Sequence, residues 1–261
     1  MIKRISIVVP CFNEQSRFPL EYWKEMIAEQ SDAHWFFVDD GSTDSTLQTL
    51  QGLCAVTTAK VIGLPTNVGK GNAIRKGFQT ILQETPDVEI LGYLDSDGAF
   101  SKRDVNRIKS MALEKMSKES DNPLDCLISS RVSLSGRSIT RKATRHYLGR
   151  IIATFLTRDW HDAPYDTQSG FKCFLNSNSF RSSVNNVFLT KWFIDVELLT
   201  RIGINNRGKL KVWEEPLLQW QDVDGSKIRA RNTFKILIEL LVARRQVLNL
   251  LKERELEVGF N

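Results

Sequence analysis

Residues 91–98 read Leu91-Gly92-Tyr93-Leu94-Asp95-Ser96-Asp97-Gly98, a short apolar run that ends in two carboxylates and a glycine. The apolar part has the length of a buried strand, and in an extended segment residues two positions apart point to the same side. Asp95 and Asp97 are therefore predicted to face one side of a strand end. Two carboxylates there can hold Mg²⁺ or Mn²⁺, since these cations prefer oxygen ligands and leave coordination positions for substrate phosphates.

Short apolar runs alternate with helical patterns through the first half of the chain. The strand-like runs lie at 5–10, 35–38, 60–64, 89–94 and 125–129, and the helical patterns at 21–30, 71–83 and 102–116, with a helix start at 42–45. This alternation predicts an α/β fold with a mostly parallel central sheet and helices on both faces. After about residue 130 the pattern changes to a helical stretch at 140–156, a loop and an apolar run at 171–174.

Polar residues follow the first two predicted strands. Ligands of such sheets bind at the carboxyl ends of the strands, so these residues are expected near Asp95. Pro10 ends the first strand, and Asn13 and Glu14 offer polar groups to a base or a ribose; an ordinary turn is the alternative. After the second strand, Asp39 or Asp40 can accept a hydrogen bond from a uracil imide or a ribose hydroxyl, or can cap the next helix.

Lys70 lies in a glycine-containing helix start, Asn67-Val68-Gly69-Lys70-Gly71-Asn72-Ala73. A helix N-terminus favours anions, and glycine allows close backbone approach, so Lys70 is a candidate contact for a diphosphate. The segment lacks the G-x-x-x-x-G-K-[ST] pattern of nucleoside triphosphate loops. An ordinary capped helix start is the alternative interpretation.

Together, P-C-F-N-E, V-D-D-G-S-T-D, N-x-G-K-G-x-A and L-D-S-D-G resemble, in order and spacing, the nucleotide half of family 2 glycosyltransferases of the GT-A fold. Segments 97–100, 129–131, 166–172, 192–198 and 224–227 are similar to the dolichyl-phosphate glucosyltransferase branch of that family. The resemblance implies an inverting, metal-dependent enzyme. Asp97 is then the expected metal ligand, and Asp95 either shares the metal or lies nearer the ribose. Its donor would be a nucleotide sugar, with UDP-glucose as the branch-level expectation, and its acceptor a polyprenyl phosphate.

The resemblance also implies roles for basic residues. Arg131 is expected to hold an acceptor phosphate, with Arg141 and Arg145 as helpers. Lys227 and Arg229 are placed to close over the donor diphosphate, or form a solvated basic turn.

The alternative acceptor is a saccharide hydroxyl, as in cell-wall or polysaccharide synthesis. It would need a general base, for which Asp195 and Asp166 are the candidates. Asp195 stands among large apolar residues in Trp192-Phe193-Ile194-Asp195-Val196, which favours a functional carboxylate over one on a helix surface. Two further classes stay open. A nucleotidyltransferase is expected to have a Gly/Arg-rich loop early in the chain, where this sequence has residues 11–14. A non-enzymatic nucleotide-sugar binding module would not need Asp95 and Asp97.

The chain has 261 residues, of which 41% are hydrophobic, enough for one sizeable core. We expect one domain over 1–261, with a nucleotide-sugar half at 1–100, an acceptor half at 101–230 and a C-terminal amphipathic helix at 231–261. The net charge of +5 suits anionic ligands or a membrane surface. Without a long Lys/Arg tract, no nucleic-acid partner is expected.

The four cysteines are scattered and form no metal-binding spacing, which is typical of reduced thiols in a cytoplasmic protein. No apolar run reaches 18 residues and no signal-peptide pattern opens the chain, so neither a transmembrane helix nor export is predicted. Segments 147–156 and 234–251 are suited to lie on the inner face of a membrane. Packing within the domain or in a homodimer is the alternative.

Overall fold

The computed structural model describes residues 4–117, 122–141, 143–222 and 233–259, with the backbone alone at 143–146, 148, 233–235 and 257–259. The strands are β1 (Ile5–Cys11), β2 (Ala33–Asp39), β3 (Lys60–Gly63), β4 (Ile90–Leu94), β5 (Cys126–Ser130), β6 (Ser138–Thr140), β7 (Phe171–Leu175), β8 (Val212–Pro216) and β9 (Gln219–Gln221). The helices are α1 (Leu20–Glu29), α2 (Thr46–Ala55), α3 (Lys70–Glu84), α4 (Lys102–Lys115), α5 (Ala143–Thr157), α6 (Asn178–Asn185), α7 (Ile194–Asn205) and α8 (Thr233–Gly259).

Seven of the strands form one twisted sheet in the order β3-β2-β1-β4-β7-β5-β8. All neighbours are parallel except β7, which runs antiparallel to both β4 and β5. Strands β6 and β9 form a separate parallel pair. The predicted α/β fold with a mostly parallel sheet is therefore confirmed, and the insertion of antiparallel β7 is a feature that the sequence pattern did not predict.

Both faces of the sheet are buried, which explains why its strands are apolar without strict alternation. Along β1, Val8 packs into the cluster beneath α3, α7 and α8, whereas Ile7 and Val9 pack on the opposite face with α1, α2 and α4. Successive side chains of a strand point to opposite faces, so a sheet covered on both sides needs an apolar residue at every position.

Two helix starts differ from the sequence pattern. The expected start at 42–45 is a turn, and α2 begins only at Thr46, whose backbone N–H donates to the Asp44 carboxylate at 3.0 Å. The N-cap residue, Ser45, makes no side-chain capping hydrogen bond, and the Asp44 carboxylate accepts from the first turn instead. The helix expected over 140–156 begins at Ala143, because residues 138–140 pair with β9 as a strand.

The long C-terminal helix α8 packs against the domain. Ala243, Val247 and Leu250 are buried against α7, where Gly203 leaves room for Leu250. Arg244 is also buried; it donates to the Leu156 carbonyl at 2.9 Å. Among the residues that the structure describes, none of the helices combines the length and apolarity needed to cross a membrane.

Candidate active site

A cavity of about 800 Å³ opens at the carboxyl ends of β1, β2 and β4. This volume is in the range of small-molecule and cofactor sites. Seven of the residues expected from the sequence line it: Pro10, Glu14, Asp40, Lys70, Asp95, Asp97 and Asp195. The prediction that the strand ends bring these separate segments together agrees with this geometry.

Asp95 and Asp97 lie on the short connection between β4 and α4. The Asp95 backbone N–H donates to the Gly170 carbonyl at 3.0 Å, and the Asp97 carboxylate accepts from the Ala99 N–H at 3.1 Å. A Cβ at Gly170 would overlap the Asp95 carboxylate, so a larger residue there would have to displace that carboxylate. Burial raises the pKa of Asp97, and the negative charge of Asp95 raises it further. The pair therefore carries a negative charge that a cation would relieve.

This arrangement fits a divalent cation. Both carboxylates line the cavity and supply the hard oxygen ligands that Mg²⁺ and Mn²⁺ prefer. Among the described residues no group of three or more His, Cys, Asp and Glu is placed to hold a metal. A cation bound by Asp95 and Asp97 would therefore take most of its ligands from substrate phosphates and water.

Lys70 is the first residue of α3, and its ammonium lies 2.6 Å from the Asp95 carboxylate. The same ammonium lies 5.7 Å from the centre of the Tyr93 ring. Burial alone would lower the pKa of Lys70, but Asp95 and Asp195 outweigh it and raise that pKa. Lys70 is thus a firmly protonated cation beside the two carboxylates.

Asp40 organises the loop that precedes α3. Its carboxylate accepts from the backbone N–H groups of Val68 at 2.7 Å and Gly69 at 2.9 Å, and from the Asn67 side chain at 2.9 Å. Burial raises the pKa of Asp40, and the two backbone hydrogen bonds oppose that rise. Asp39 is placed differently: its carboxylate accepts from the Ser42 N–H at 3.1 Å, and it does not belong to the cavity lining.

Polar side chains in the loop after β1 hydrogen-bond mainly to other groups of the protein. Asn13 has a left-handed backbone (φ 49°) and accepts from the Thr43 N–H at 2.8 Å, outside the cavity lining. Glu14 is buried and holds Arg17 through two hydrogen bonds, one of 2.7 Å. Arg17 itself lines the cavity, so Glu14 presents a cation to the site.

Asp195 is buried near the start of α7. Its carboxylate accepts from the Lys172 ammonium at 2.6 Å and from the Tyr93 hydroxyl. Lys172 is fully buried on β7 and also donates to the Tyr93 hydroxyl, at 2.9 Å. Burial, and then the charge of Asp195, raise the pKa of Tyr93 well above its ordinary value, so the phenol stays protonated. A solvated carboxylate on a helix surface is therefore the wrong interpretation of Asp195.

Arg131 and Asp166 form a buried bidentate pair. The Arg131 Nε and Nη2 atoms each lie 2.7 Å from an Asp166 oxygen. Burial alone would raise the pKa of Asp166, but Arg131 outweighs it and lowers the pKa to about 2. The pair borders a small recess that also contains Arg141 and Arg150, and Gln168 lines both this recess and the main cavity.

Other expected contacts lie where the structure gives no description. Lys227 and Arg229 are outside the described residues, and the side chain of Arg145 is as well. Their expected roles at the diphosphate and the acceptor stay predictions.

The sequence pattern missed several residues that line the cavity: Arg17, Gln168, Lys191, Trp192, Ile238 and Glu239. Glu239 comes from α8, and its carboxylate accepts from the Lys191 and Trp192 N–H groups, each at 2.8 Å. Gln168 and Trp192 lie inside segments that the family resemblance had marked, which was the available signal. Nothing in the local pattern of α8 indicates that Glu239 reaches the site.

The comparisons with known proteins agree with this fold. The model of the family described as Glycosyl transferase family 2 matches residues 6–196, and the chain belongs to that family. It is a glycosyltransferase. The human dolichyl-phosphate beta-glucosyltransferase is 30% identical over 247 residues, which is 87% of this chain and 70% of the human protein. The corresponding protein of Saccharomyces cerevisiae is 28% identical over 268 residues, which is 92% of this chain and 74% of the yeast protein.

Solved structures support the fold. Glucosyl-3-phosphoglycerate synthase from Mycobacterium tuberculosis, crystallised with Mn²⁺ and UDP-glucose, superposes with a TM-score of 0.61 at 16% identity. The match covers 93% of this chain and 79% of that protein. The complex of the same synthase with Mg²⁺ and UDP gives a TM-score of 0.60 at 18% identity. The GT-A architecture expected from the sequence is confirmed.

Proposed function

We propose that this glycosyltransferase transfers glucose from UDP-glucose to a polyprenyl phosphate, with inversion of the anomeric centre and with the help of Mg²⁺ or Mn²⁺. Support for the substrates comes from the yeast and human relatives, which are dolichyl-phosphate beta-glucosyltransferases and match about nine-tenths of the chain. Support for the donor class comes from a cavity that combines two adjacent carboxylates with the cations Arg17 and Lys70. The division at 1–100, 101–230 and 231–261 stays a prediction.

Asp95 and Asp97 are the proposed ligands of the cation. When bound, a divalent cation neutralises the diphosphate that leaves when the glycosidic bond breaks. Lys70 and Arg17 are proposed to contact the negative charge of the same diphosphate. The loop held by Asp40 places the N-terminus of α3 at the cavity, where its N–H groups favour an anion. Pro10, Asn13, Glu14 and Asp39 are proposed to shape the nucleoside end.

One observation favours a phosphate acceptor over a hydroxyl. Both candidate bases are already engaged, because Asp166 is paired with Arg131 and has a pKa of about 2, and Asp195 accepts from Lys172 and Tyr93. A hydroxyl acceptor needs a base to remove its proton, whereas a phosphate monoester is already an anionic nucleophile. Arg131 and Arg141, which line a small recess beside the cavity, are the cations proposed to lie nearest that phosphate.

Calorimetric titration with UDP, GDP and CDP, each with and without Mn²⁺, tests the donor site. We expect UDP to bind only weakly without Mn²⁺ and tightly with it, and we expect Asp97→Ala to abolish that dependence. Absence of binding by any nucleoside diphosphate in the presence of Mn²⁺ would rule out the proposed donor class.

Two further partners, a membrane surface and a second copy of the chain, stay predictions, as does a cytoplasmic location at the inner face of a membrane. Large apolar side chains are exposed on α5 and α8, and Ile238 also lines the cavity. They include Tyr147, Ile151, Leu237 and Leu241. Flotation with anionic phospholipid vesicles tests the first partner, and sedimentation equilibrium tests the second.

A further inference from the structure

The ion pair between Lys70 and Asp95 lies where a cation and a diphosphate are proposed to bind. The two charged atoms are 2.6 Å apart. The Lys70 side chain is 41% exposed to solvent, and the Asp95 side chain is 31% exposed. Ion pairs with this much contact with water are weak, since water competes for both partners. The pair is therefore weak enough for Lys70 to exchange its partner.

The positions of the charges show why Lys70 must leave Asp95 before a divalent cation can bind there. A divalent cation at this place would need oxygen atoms of both Asp95 and Asp97, but the Lys70 ammonium already occupies a hydrogen-bonding position on Asp95. The ammonium would also repel an incoming cation. Since the described part of the chain offers no third acidic or imidazole ligand, a metal ion alone has little to compensate for displacing Lys70.

Lys70 has the freedom to change partners, whereas Arg17 does not. A lysine carries its charge on a flexible four-carbon chain with rotatable donors. Arg17 is fixed by two hydrogen bonds to the buried Glu14 carboxylate. Lys70 also starts α3, whose N-terminal N–H groups favour an anion at the same place.

We propose that Lys70 is an exchangeable counter-ion, which neutralises Asp95 in the free pocket and transfers to the donor diphosphate when a divalent cation takes over the carboxylate. This inference rests on the proposed function. It makes the metal and the nucleotide bind cooperatively, because each is needed to separate Lys70 from Asp95. Such coupling is reciprocal: the metal strengthens nucleotide binding by the same factor by which the nucleotide strengthens metal binding.

The test measures Mn²⁺ affinity without nucleotide, from the electron paramagnetic resonance signal of free Mn²⁺. We expect Lys70→Met to bind Mn²⁺ at least about tenfold more tightly than the wild type, because Asp95 loses its counter-ion. Lys70→Arg, which keeps the charge, should bind as the wild type does. Lys60→Met removes the same charge from an exposed pair with Glu84 outside the cavity, and should leave the affinity unchanged.

Unchanged, weaker or undetectable Mn²⁺ binding to Lys70→Met would overturn the proposal, and so would an equal gain in Lys60→Met. A second readout is the factor by which UDP strengthens Mn²⁺ binding, which should fall about tenfold in Lys70→Met. The two proposals fail differently. Loss of all UDP binding to the wild type would contradict the proposed function, whereas the Mn²⁺ affinities without nucleotide test the exchange by themselves.

Discussion

The Lys172 ammonium lies 2.6 Å from the Asp195 carboxylate, and the lysine side chain is completely shielded from solvent. The pair joins antiparallel β7 to the start of α7, and the Tyr93 hydroxyl of β4 completes it. A buried charge needs a partner, so each of these groups fixes the others in place. One edge of the cavity is therefore set by a network that crosses three elements.

Removing one member of this network should be costly. Lys172→Met would leave Asp195 as an unpaired buried charge, and we expect a loss of about 3–5 kcal/mol in the free energy of unfolding. The double variant Lys172→Met/Asp195→Asn should recover much of that loss, because no charge is then left unpaired. Urea denaturation followed by circular dichroism measures both. The matched control is Lys24→Met, which removes an exposed pair with Glu21 and should change stability by less than about 1 kcal/mol. Equal losses in Lys172→Met and Lys24→Met would show that the buried Lys172–Asp195 pair matters no more to stability than an exposed one.

The Arg131–Asp166 pair gives stability a defined pH dependence. The pKa of Asp166 is about 2 in the folded chain against an ordinary value of 3.8, so the folded state favours the ionised carboxylate. Its contribution is complete above pH 3.8 and is lost as the pH falls toward 2. This difference in the pKa of Asp166 corresponds to about 2 kcal/mol in the free energy of unfolding.

Urea unfolding at successive pH values between 5 and 2 measures this contribution. The wild type should lose about 2 kcal/mol more than Asp166→Asn across that interval, because the variant has no carboxylate to titrate at this position. Parallel losses in the two proteins would show that the pair does not stabilise the ionised form.

Gly170 should be required for the proposed metal site. Gly170→Ala places a Cβ against the Asp95 carboxylate and displaces it, so Mn²⁺-dependent UDP binding should weaken by at least about tenfold. Gly52→Ala is the matched control, since Gly52 lies within α2 with no atom near its side-chain position. That change should leave UDP binding intact and add about 0.5–1 kcal/mol of stability. Normal UDP affinity in Gly170→Ala would show that the position of Asp95 is not critical.

Glu239 should hold the loop at Lys191 and Trp192. In Glu239→Ala both backbone N–H groups lose their acceptor, and we expect their hydrogen exchange to accelerate and UDP affinity to fall several-fold. Glu255→Ala removes the same side chain from an exposed position of the same helix and should change neither quantity. Equal exchange rates in the wild type and Glu239→Ala would show that Glu239 does not hold this loop.

The site residues that the sequence predicted are those that follow a strand or start a helix, because short stretches of sequence are enough to recognise these positions. Asp95, Asp97 and Asp40 directly follow strands, and the carboxyl ends of parallel strands meet at one edge of the sheet, so local patterns were sufficient to bring them together. Lys70 was likewise predictable, because it starts a helix that follows a third such strand. The strands themselves were recognisable from unbroken apolar runs.

The parts that were missed depend on contacts between distant segments. Strand β7 pairs with β4 and β5 in an antiparallel sense, and no periodicity of residues 171–175 indicates which neighbours they choose. Asp166 is paired with Arg131 across 35 positions, and Glu239 reaches Trp192 across 47. A carboxylate looks the same in the sequence whether it is a free base or the partner of an arginine, so only the folded chain distinguishes these roles.

The fate of labelled glucose distinguishes a polyprenyl phosphate acceptor from a saccharide acceptor. The protein is incubated with radiolabelled UDP-glucose, Mn²⁺, dolichyl phosphate in detergent and a mixture of oligosaccharide acceptors, and the products are partitioned between organic solvent and water. We expect label in the organic phase that depends on both dolichyl phosphate and Mn²⁺ and is absent with Asp97→Ala. Label that enters only water-soluble glycans, or organic-phase label that does not depend on dolichyl phosphate, would contradict transfer to a polyprenyl phosphate.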